Sequence, residues 1–295
     1  MRAALPTPVL AWARRRRALL RSRRPRTFDE KVAYKIHRDR RPLLVTFADK
    51  VAAREYVART APQCGLVPVY ATTLDLRAVD RSSLPREFVV KASHASGGVL
   101  LVADWAPMDH PTPTPADGLC RATVHPDRLD WDQLCATTAA WLRTPYVGPL
   151  GEWAYSQIEP TLLVEQLLVG ADGRTPTDYK LLVFDGRCRV IEVAAGRFGD
   201  YRELMFTPAW ELVDDVAGDR AFALGVPPPA TLATMIAIAE RLGGQTDFVR
   251  VDLYEVDGGV VFGELTNYPG GGDSMDTREA DELLGSYWTV PRRYR

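Results

Sequence analysis

The segment 248–265 constrains the fold more than any other, because it reads as two strands joined by a tight turn. FVRVDLYEV (Phe248–Val256) and VVFGEL (Val260–Leu265) are rich in β-branched and aromatic residues. Between them lies Asp257-Gly258-Gly259, a turn sequence typical of β-hairpins. The sequence therefore predicts an antiparallel hairpin with apolar surroundings here.

The same local pairing recurs earlier in the chain. FVVKAS (Phe88–Ser93) and VLLVAD (Val99–Asp104) flank a Gly-rich turn, and DYKLLVF (Asp178–Phe184) leads through Asp185-Gly186 into CRVIEV (Cys188–Val193). LLVEQLL (Leu162–Leu168) reads as a further strand. Helical spacing is predicted for 27–36, 47–58, 130–143 and 230–242. Hairpins separated by helices are typical of the α+β class and not of a doubly wound parallel sheet.

The first 26 residues form a basic arm with nine arginines and no acidic residue. The overall net charge is −1, so the rest of the chain carries a net charge of about −10, which argues against nucleic-acid binding as its main role. Three interpretations of the arm stay open: an amphipathic helix on an anionic surface, an arm that docks on a partner protein, or a frayed tail. No apolar run approaches the roughly 18 residues of a transmembrane helix.

Lys91 stands near the end of a predicted buried strand, and His94 and the turn Ser96-Gly97-Gly98 follow shortly after it. Glycine lets backbone N–H groups approach a ligand closely, so this loop can cover polyphosphate oxygens beside the Lys91 ammonium group. An ordinary hairpin with a surface lysine is the alternative interpretation. The order of residues differs from that of a P-loop.

Arg250, Asp252 and Glu264 lie on the two strands of the last hairpin, where residues i and i+2 share a face. Two carboxylates among apolar neighbours repel each other unless a cation lies between them. Mg2+ bound by carboxylates and phosphate oxygens satisfies that requirement. The alternative is a surface hairpin whose acids pair with arginines.

A third group lies in the middle of the chain. Glu165-Gln166-Leu167-Leu168 ends a strand, and Asp178 and Lys180 begin the next one. Such a strand end can offer backbone groups to a planar base and a carboxylate to ribose hydroxyls. Lys180 either extends its ammonium group to solvent or faces a phosphate.

The order of these pieces resembles the ATP-grasp superfamily, and more narrowly its TupA-like (teichuronopeptide-biosynthesis) branch. The resemblance covers about Thr27 to Gly272 and rests on pieces whose joint order is specific: TFDEKVAYKI, DKVAAREYV, FVVKASHASGG, DYKLLVFDGR, FVRVDLYEVDGG and FGELTNYPGGG. It implies an α+β ATP-grasp fold in which a nucleotide lies between two antiparallel-sheet lobes, beside a small α/β N-terminal lobe. The expected domains are the arm 1–26, the N-terminal lobe 27–86, and the two ATP-grasp lobes 87–160 and 161–295.

The resemblance also implies a role for each matching residue. Lys91, Ser96, Gly97 and Gly98 would hold the ATP phosphates. Glu165, Gln166, Leu167 and Leu168 would line the adenine pocket, with Asp178 at the ribose. Lys180 would reach a phosphate, Arg250 would stabilise the transferred phosphoryl group, and Asp252 and Glu264 would bind Mg2+.

Some positions depart from the wider superfamily pattern or lie outside it. Thr266 stands two residues after the metal-binding Glu264, where relatives often have Asn, so either Thr266 or water supplies that oxygen. His94 is interpreted as a loop or core histidine or as a contact to the acceptor. Arg197 and Arg202 are candidates for binding the carboxylate substrate, since a guanidinium group binds carboxylate through two parallel bonds, and ordinary surface arginines are the alternative.

The implied reaction is ATP-dependent ligation of a carboxylate to an amine through an acylphosphate, in the cytoplasm. The expected substrates are small molecules: an amino acid, and a cell-surface polymer precursor, uronic acid or small peptide. The alternatives are a kinase for a sugar or other hydroxyl acceptor, and a non-catalytic nucleotide-binding module.

Overall fold

The computed structural model describes residues 24–148, 150–170, 172–195, 202–213, 226–275 and 277–294. Within these ranges the chain forms ten strands and six α-helices. The helices are α1 (Phe28–Arg38), α2 (Pro42–Ala48), α3 (Lys50–Thr60), α4 (Trp131–Arg143), α5 (Leu232–Gly243) and α6 (Arg278–Ser286). The strands are β1 (Val69–Thr73), β2 (Phe88–Ala92), β3 (Val99–Val102), β4 (Arg121–Val124), β5 (Leu162–Glu165), β6 (Asp178–Phe184), β7 (Arg187–Ala195), β8 (Arg202–Phe206), β9 (Phe248–Val256) and β10 (Gly259–Thr266).

The N-terminal helices begin and end at capping residues. The Thr27 hydroxyl accepts a hydrogen bond from the Glu30 backbone N–H at the start of α1. The helix predicted over 47–58 is two helices in the structure. Asp49 separates them, because its carboxylate accepts from the Val51 N–H at 2.9 Å and so starts α3.

The first sheet has the strand order β1-β5-β2-β3-β4. Its pairings are antiparallel except for β3 and β4, which run parallel, so this sheet departs from the fully antiparallel prediction. The parallel pairing is available because the Pro-rich connection 103–120 is long enough to return the chain to the start of β3. β5 pairs with β1 and β2, so the change of sheet comes after Glu165 and not at the predicted boundary of 161.

The second sheet has the order β10-β9-β6-β7-β8, and all its pairings are antiparallel. Two of its hairpins have two-residue turns, the predicted Asp185-Gly186 and Asp257-Gly258. The second is one residue shorter than the predicted Asp257-Gly258-Gly259, because Gly259 already pairs with Val256 as the first residue of β10. All four turn residues have positive φ angles, between 48° and 74°, as type I′ turns require.

The segment predicted as an N-terminal lobe contributes α1, α2, α3 and the edge strand of the first sheet. Its helices pack on the second sheet: α3 shares a core with α5 and the outer face of that sheet, while α1 packs with α6 and Trp288. A separate hydrophobic core lies between the first sheet and α4. Among the described residues, no helix is both long and apolar enough to cross a membrane. The basic arm lies outside the described residues except for 24–26.

Candidate active site

A cavity of about 1090 Å³ separates the two sheets. One wall is the face of the first sheet that presents Val89 and Lys91 of β2 with Leu163 and Glu165 of β5. The opposite wall is the face of the second sheet that presents alternate residues of β6 and β9, together with residues 262–266 of β10. The predicted residues that line this cavity are Lys91, Ser96, Glu165, Gln166, Leu167, Leu168, Asp178, Lys180, Arg250, Asp252, Glu264 and Thr266.

Charged residues form a row across the second sheet. Cross-strand register places Glu264 opposite Asp252, Asp252 opposite Lys180, and Lys180 opposite Glu192. Residues opposite each other in a sheet point to the same face, so all four side chains point toward the cavity side. The register of β10 needs a bulge after Phe262, and a Cβ on Gly263 would lie 2.9 Å from the Asp252 carbonyl oxygen. Glycine at this position therefore allows the two carboxylates to lie side by side.

Arg250 joins the two carboxylates of this row. Its Nε and Nη2 donate to Asp252 Oδ1 and Oδ2 at 2.7 and 2.6 Å, and Nη2 also donates to Glu264 Oε1 at 3.0 Å. The Thr266 hydroxyl donates to the same Glu264 oxygen at 3.1 Å. The structure therefore brings Arg250 together with the three residues predicted to bind the metal, Asp252, Glu264 and Thr266.

The electrostatics of this group suit a divalent cation. Burial raises the pKa of Asp252, and the nearby Asp178 and Glu264 carboxylates raise it further, against the lowering effect of Arg250. Burial also acts to raise the pKa of Glu264, but Arg250, Lys50 and Arg121 together hold it below its usual value. Two adjacent carboxylates and a hydroxyl are oxygen donors of the kind that Mg2+ binds, so Asp252, Glu264 and Thr266 fit the ion that the fold implies.

Two lysines face the cavity from opposite walls, each beside a carboxylate. Lys180 donates to Glu192 Oε1 at 2.5 Å; burial acts to lower its pKa, but Glu192 outweighs burial and raises it. Lys91 forms an ion pair with Glu165, whose other oxygen lies 3.7 Å from Arg54. These side chains are thus held over the cavity by partners that lie at its walls.

The loop after β2 is shaped by its glycines. A Cβ on Gly97 would lie 2.1 Å from the Leu119 carbonyl oxygen, and Gly98 has a φ of +65°. Ser96 lines the cavity, whereas Gly97, Gly98 and His94 are not among the lining residues. The two glycines let the loop pack against the segment before β4, which leaves the predicted phosphate contact to Ser96 and its neighbours.

His94 is buried under this loop. Its Nε2 lies 3.1 Å from the Thr144 carbonyl oxygen, and burial lowers its pKa. The predicted acceptor contact therefore stays a prediction for a residue that the structure places behind the cavity wall.

The far end of the cavity is apolar. Val89, Ala103 and Leu167 form a small buried cluster, against which Val99 and Leu101 pack. The Gln166 N–H donates a hydrogen bond to the Pro68 carbonyl oxygen at 2.9 Å, which holds the end of the strand in place. An apolar surface beside a backbone strand end suits a planar base.

The remaining predicted residues lie at or beyond the limits of the described chain. Arg197 lies outside the described residues. Arg202 begins β8, opposite Ala195, and only its backbone is described. Their predicted role in carboxylate binding is untested by the geometry.

Sequence reasoning missed Lys50, which lines the cavity from the first turn of α3. Its Nζ donates to the Ala95 carbonyl, and its backbone N–H donates to the Ser93 carbonyl at 3.2 Å. Burial lowers its pKa to about 8, despite the opposing effect of Glu264. Lys50 therefore ties the loop 93–98 to α3. The scarcity of lysine in an arginine-rich chain was the one signal that could have singled it out.

A second missed group lines the cavity next to Glu264 and Thr266: Tyr146, Glu152, Tyr155, Tyr268, Gly270 and Gly271. These residues come from the connection between α4 and β5 and from the segment after β10. Tyr268, Gly270 and Gly271 belong to the motif FGELTNYPGGG. No local motif marks Tyr146, Glu152 and Tyr155, which the fold brings next to that motif from a segment more than 100 residues away.

Comparison with protein families identifies one match. Residues 139–289 match the sequence model of the family described as TupA-like ATPgrasp, which is about half of the chain. No curated protein sequence matches the chain.

Solved structures with a similar arrangement include three ligases. D-alanine--D-alanine ligase from Bacillus anthracis complexed with ATP is 13% identical, with a TM-score of 0.45 over 82% of this chain and 65% of that chain. D-alanine-D-alanine ligase from Helicobacter pylori is 13% identical, with a TM-score of 0.43 over 84% and 60%. The ATP-grasp ligase PsnB complexed with minimal precursor is 13% identical, with a TM-score of 0.40 over 83% and 61%. The chain therefore spans less than two thirds of each of these proteins.

Proposed function

The chain belongs to the TupA-like ATP-grasp family, and from this premise we propose that it is an ATP-dependent carboxylate–amine ligase. The observation that carries the proposal is the cavity between the sheets, where Lys91, Lys180 and Arg250 face Asp252 and Glu264. Its apolar end fits a base, and its charged end fits a polyphosphate chain. A nucleotide across this cavity would contact both walls.

Different residues of the cavity would contact different parts of the nucleotide. The apolar slot at Leu167 and Leu168 would hold adenine, and Asp178 would accept hydrogen bonds from the ribose hydroxyls. Lys91, Lys180 and the loop at Ser96 would neutralise phosphate oxygens. Asp252, Glu264 and Thr266 would hold Mg2+, which when bound screens the negative charge of the phosphates.

The chemistry proceeds in two displacements. A carboxylate oxygen of the first substrate attacks the γ-phosphorus, the bond to ADP breaks, and an acylphosphate forms. The amino group, once it has lost one proton, attacks the carbonyl carbon, phosphate leaves with the bonding electrons, and the nitrogen loses a second proton to give the amide. Arg250 would stabilise the charge on the transferred phosphoryl group, so the chain contributes positioning and charge neutralisation.

We further propose the classes of substrate from the family and the residues. The amine would be an amino acid, and the carboxylate a cell-surface polymer precursor, a uronic acid or a small peptide. Arg197 and Arg202 are proposed to bind the carboxylate on the sequence argument alone. The reaction would take place in the cytoplasm, where ATP is supplied.

Trapping the acylphosphate tests the proposal without knowledge of the amine. Purified protein with MgATP, hydroxylamine and a panel of uronates, amino acids and dipeptides is expected to form a hydroxamate with at least one carboxylate. ADP and phosphate should appear in equal amounts, and phosphate should require both a carboxylate and an amine or hydroxylamine. Omission of the carboxylate is the matched control.

Two other results would contradict the proposal. ADP formation with a phosphorylated hydroxyl product and no free phosphate would identify a kinase. Nucleotide binding with no ADP formed from any member of the panel would favour a non-catalytic binding module.

A further inference from the structure

One part of the cavity is left without a role by the nucleotide and metal contacts. It lies beside Glu264 and Thr266 and is lined by Glu152 and by the rings of Tyr146, Tyr155 and Tyr268. The rings of Tyr146 and Tyr155 meet edge to face with centroids 4.9 Å apart. Burial raises the pKa of Tyr155, and the Glu264 and Glu152 carboxylates raise it further. Glu152 and the three tyrosines thus lie close to one another, next to the proposed Mg2+ ligands Glu264 and Thr266.

Glu152 is a buried carboxylate with no cationic partner in the described part of the chain. Glu152 is 3% exposed, and burial alone raises its pKa to about 7. Among the other cavity acids, Glu165 pairs with Lys91, and Asp252 and Glu264 pair with Arg250. Leaving a buried charge without a partner is unfavourable, so Glu152 is suited to a positively charged group that enters from the cavity.

The backbone around Glu152 holds the carboxylate in place. The Glu152 N–H donates to the Val147 carbonyl at 2.6 Å. Gly148 has a φ of +58°, and a Cβ there would lie 2.0 Å from Glu152 Oε1. Glycine at position 148 therefore leaves the space that the Glu152 carboxylate occupies.

Tyr268 gives an independent indication of a polar ligand. Its hydroxyl is buried and has no hydrogen-bond partner among the described residues, although Tyr268 also lines the cavity. Buried hydroxyls without partners are rare in folded proteins. A primary ammonium group has three N–H donors, enough for the Glu152 carboxylate and for tyrosine oxygens, while the aromatic rings attract its charge.

We propose that Glu152, Tyr146, Tyr155 and Tyr268 form the acceptor subsite and bind the protonated amino group of the amine substrate. That the bound ammonium group belongs to a substrate rests on the proposed ligase function. Binding of an ammonium group at this place does not itself require catalysis. An anionic group is disfavoured here by Glu152, and a purely apolar one would leave the carboxylate and the Tyr268 hydroxyl without partners.

Saturation-transfer NMR with n-butylammonium, and with butan-1-ol as its uncharged counterpart, tests the subsite on the full chain. The ammonium probe is expected to receive saturation from the native protein, and butan-1-ol to receive much less. Glu152→Gln should weaken ammonium binding about tenfold. Glu159→Gln makes the same change at an exposed position on the same connection and should bind like the native protein.

The variants are expected to fold. Glu152→Gln removes a buried charge that has no cation nearby, so its Tm should be no lower than that of the native protein. Tyr155→Leu is a second variant that removes a ring and leaves Glu152, and it should also weaken ammonium binding.

Equal signals from the two probes, or undiminished ammonium binding by both Glu152→Gln and Tyr155→Leu, would overturn the inference. Failure of the proposed ligase function would give a different result: no hydroxamate would form, while the ammonium probe would still bind. Hydroxamate formation without ammonium binding would contradict the proposed subsite and would still support the ligase function.

Discussion

Asp252→Asn and Glu264→Gln are each expected to lower ATP-dependent phosphate release about 100-fold. Each change removes one charged oxygen ligand from the proposed Mg2+ site while keeping the shape of the side chain. Each single variant also leaves Arg250 one carboxylate partner, because its guanidinium contacts both acids. The rate of phosphate release under saturating MgATP, carboxylate and amine is the measurement.

Asp257→Asn is the matched control for these variants. Asp257 lies in the turn of the same hairpin, is exposed and has a φ of 52°, a conformation that asparagine also tolerates. Its activity should remain at the native level. Native-level activity in folded Asp252→Asn and Glu264→Gln would show that the two acids serve only the hairpin.

Lys35→Met is expected to destabilise the protein by about 3 kcal/mol, which is the largest effect predicted outside the cavity. Lys35 is 0% exposed, and its ammonium group donates to Asp39 at 2.9 Å and to Asp247 at 2.6 Å. The Asp247 carboxylate also accepts from Trp288 Nε1 at 2.9 Å. Methionine would fill the space but leave two buried carboxylates with Arg41 as their remaining cation.

Urea-induced unfolding followed by tryptophan fluorescence measures this effect. Arg38→Met on the exposed face of α1 is the control, and its unfolding free energy should change by no more than about 0.5 kcal/mol. A Lys35→Met variant as stable as the native protein would mean that Arg41 alone compensates the buried acids.

The parts of the fold that sequence reasoning could predict are those set by local signals. β6, β7, β9 and β10 follow from β-branched runs joined by Asp-Gly turns, and the structure has them with the positive φ angles that such turns need. The shared face of Arg250 and Asp252 follows from their spacing of two residues on one strand. Glu264 lies opposite Asp252 because of the bulge after Phe262, which shifts the register that the turn alone would set.

The parts that could not be predicted depend on distant contacts. β4 has four residues, lies after a Pro-rich loop and pairs in parallel with β3, so nothing near it in sequence marks it as a strand. Likewise, Lys50 and Glu152 reach the cavity from a helix start and a connection. Their roles become visible once the sheets are assembled around them.

The proposed function requires that the cavity binds a nucleotide together with Mg2+. Calorimetric titration of the native protein with a non-hydrolysable ATP analogue, with and without Mg2+, tests it most directly. One nucleotide is expected to bind per chain, and more tightly when Mg2+ is present. Absence of binding under both conditions would contradict it, and the ligase function would fall with it.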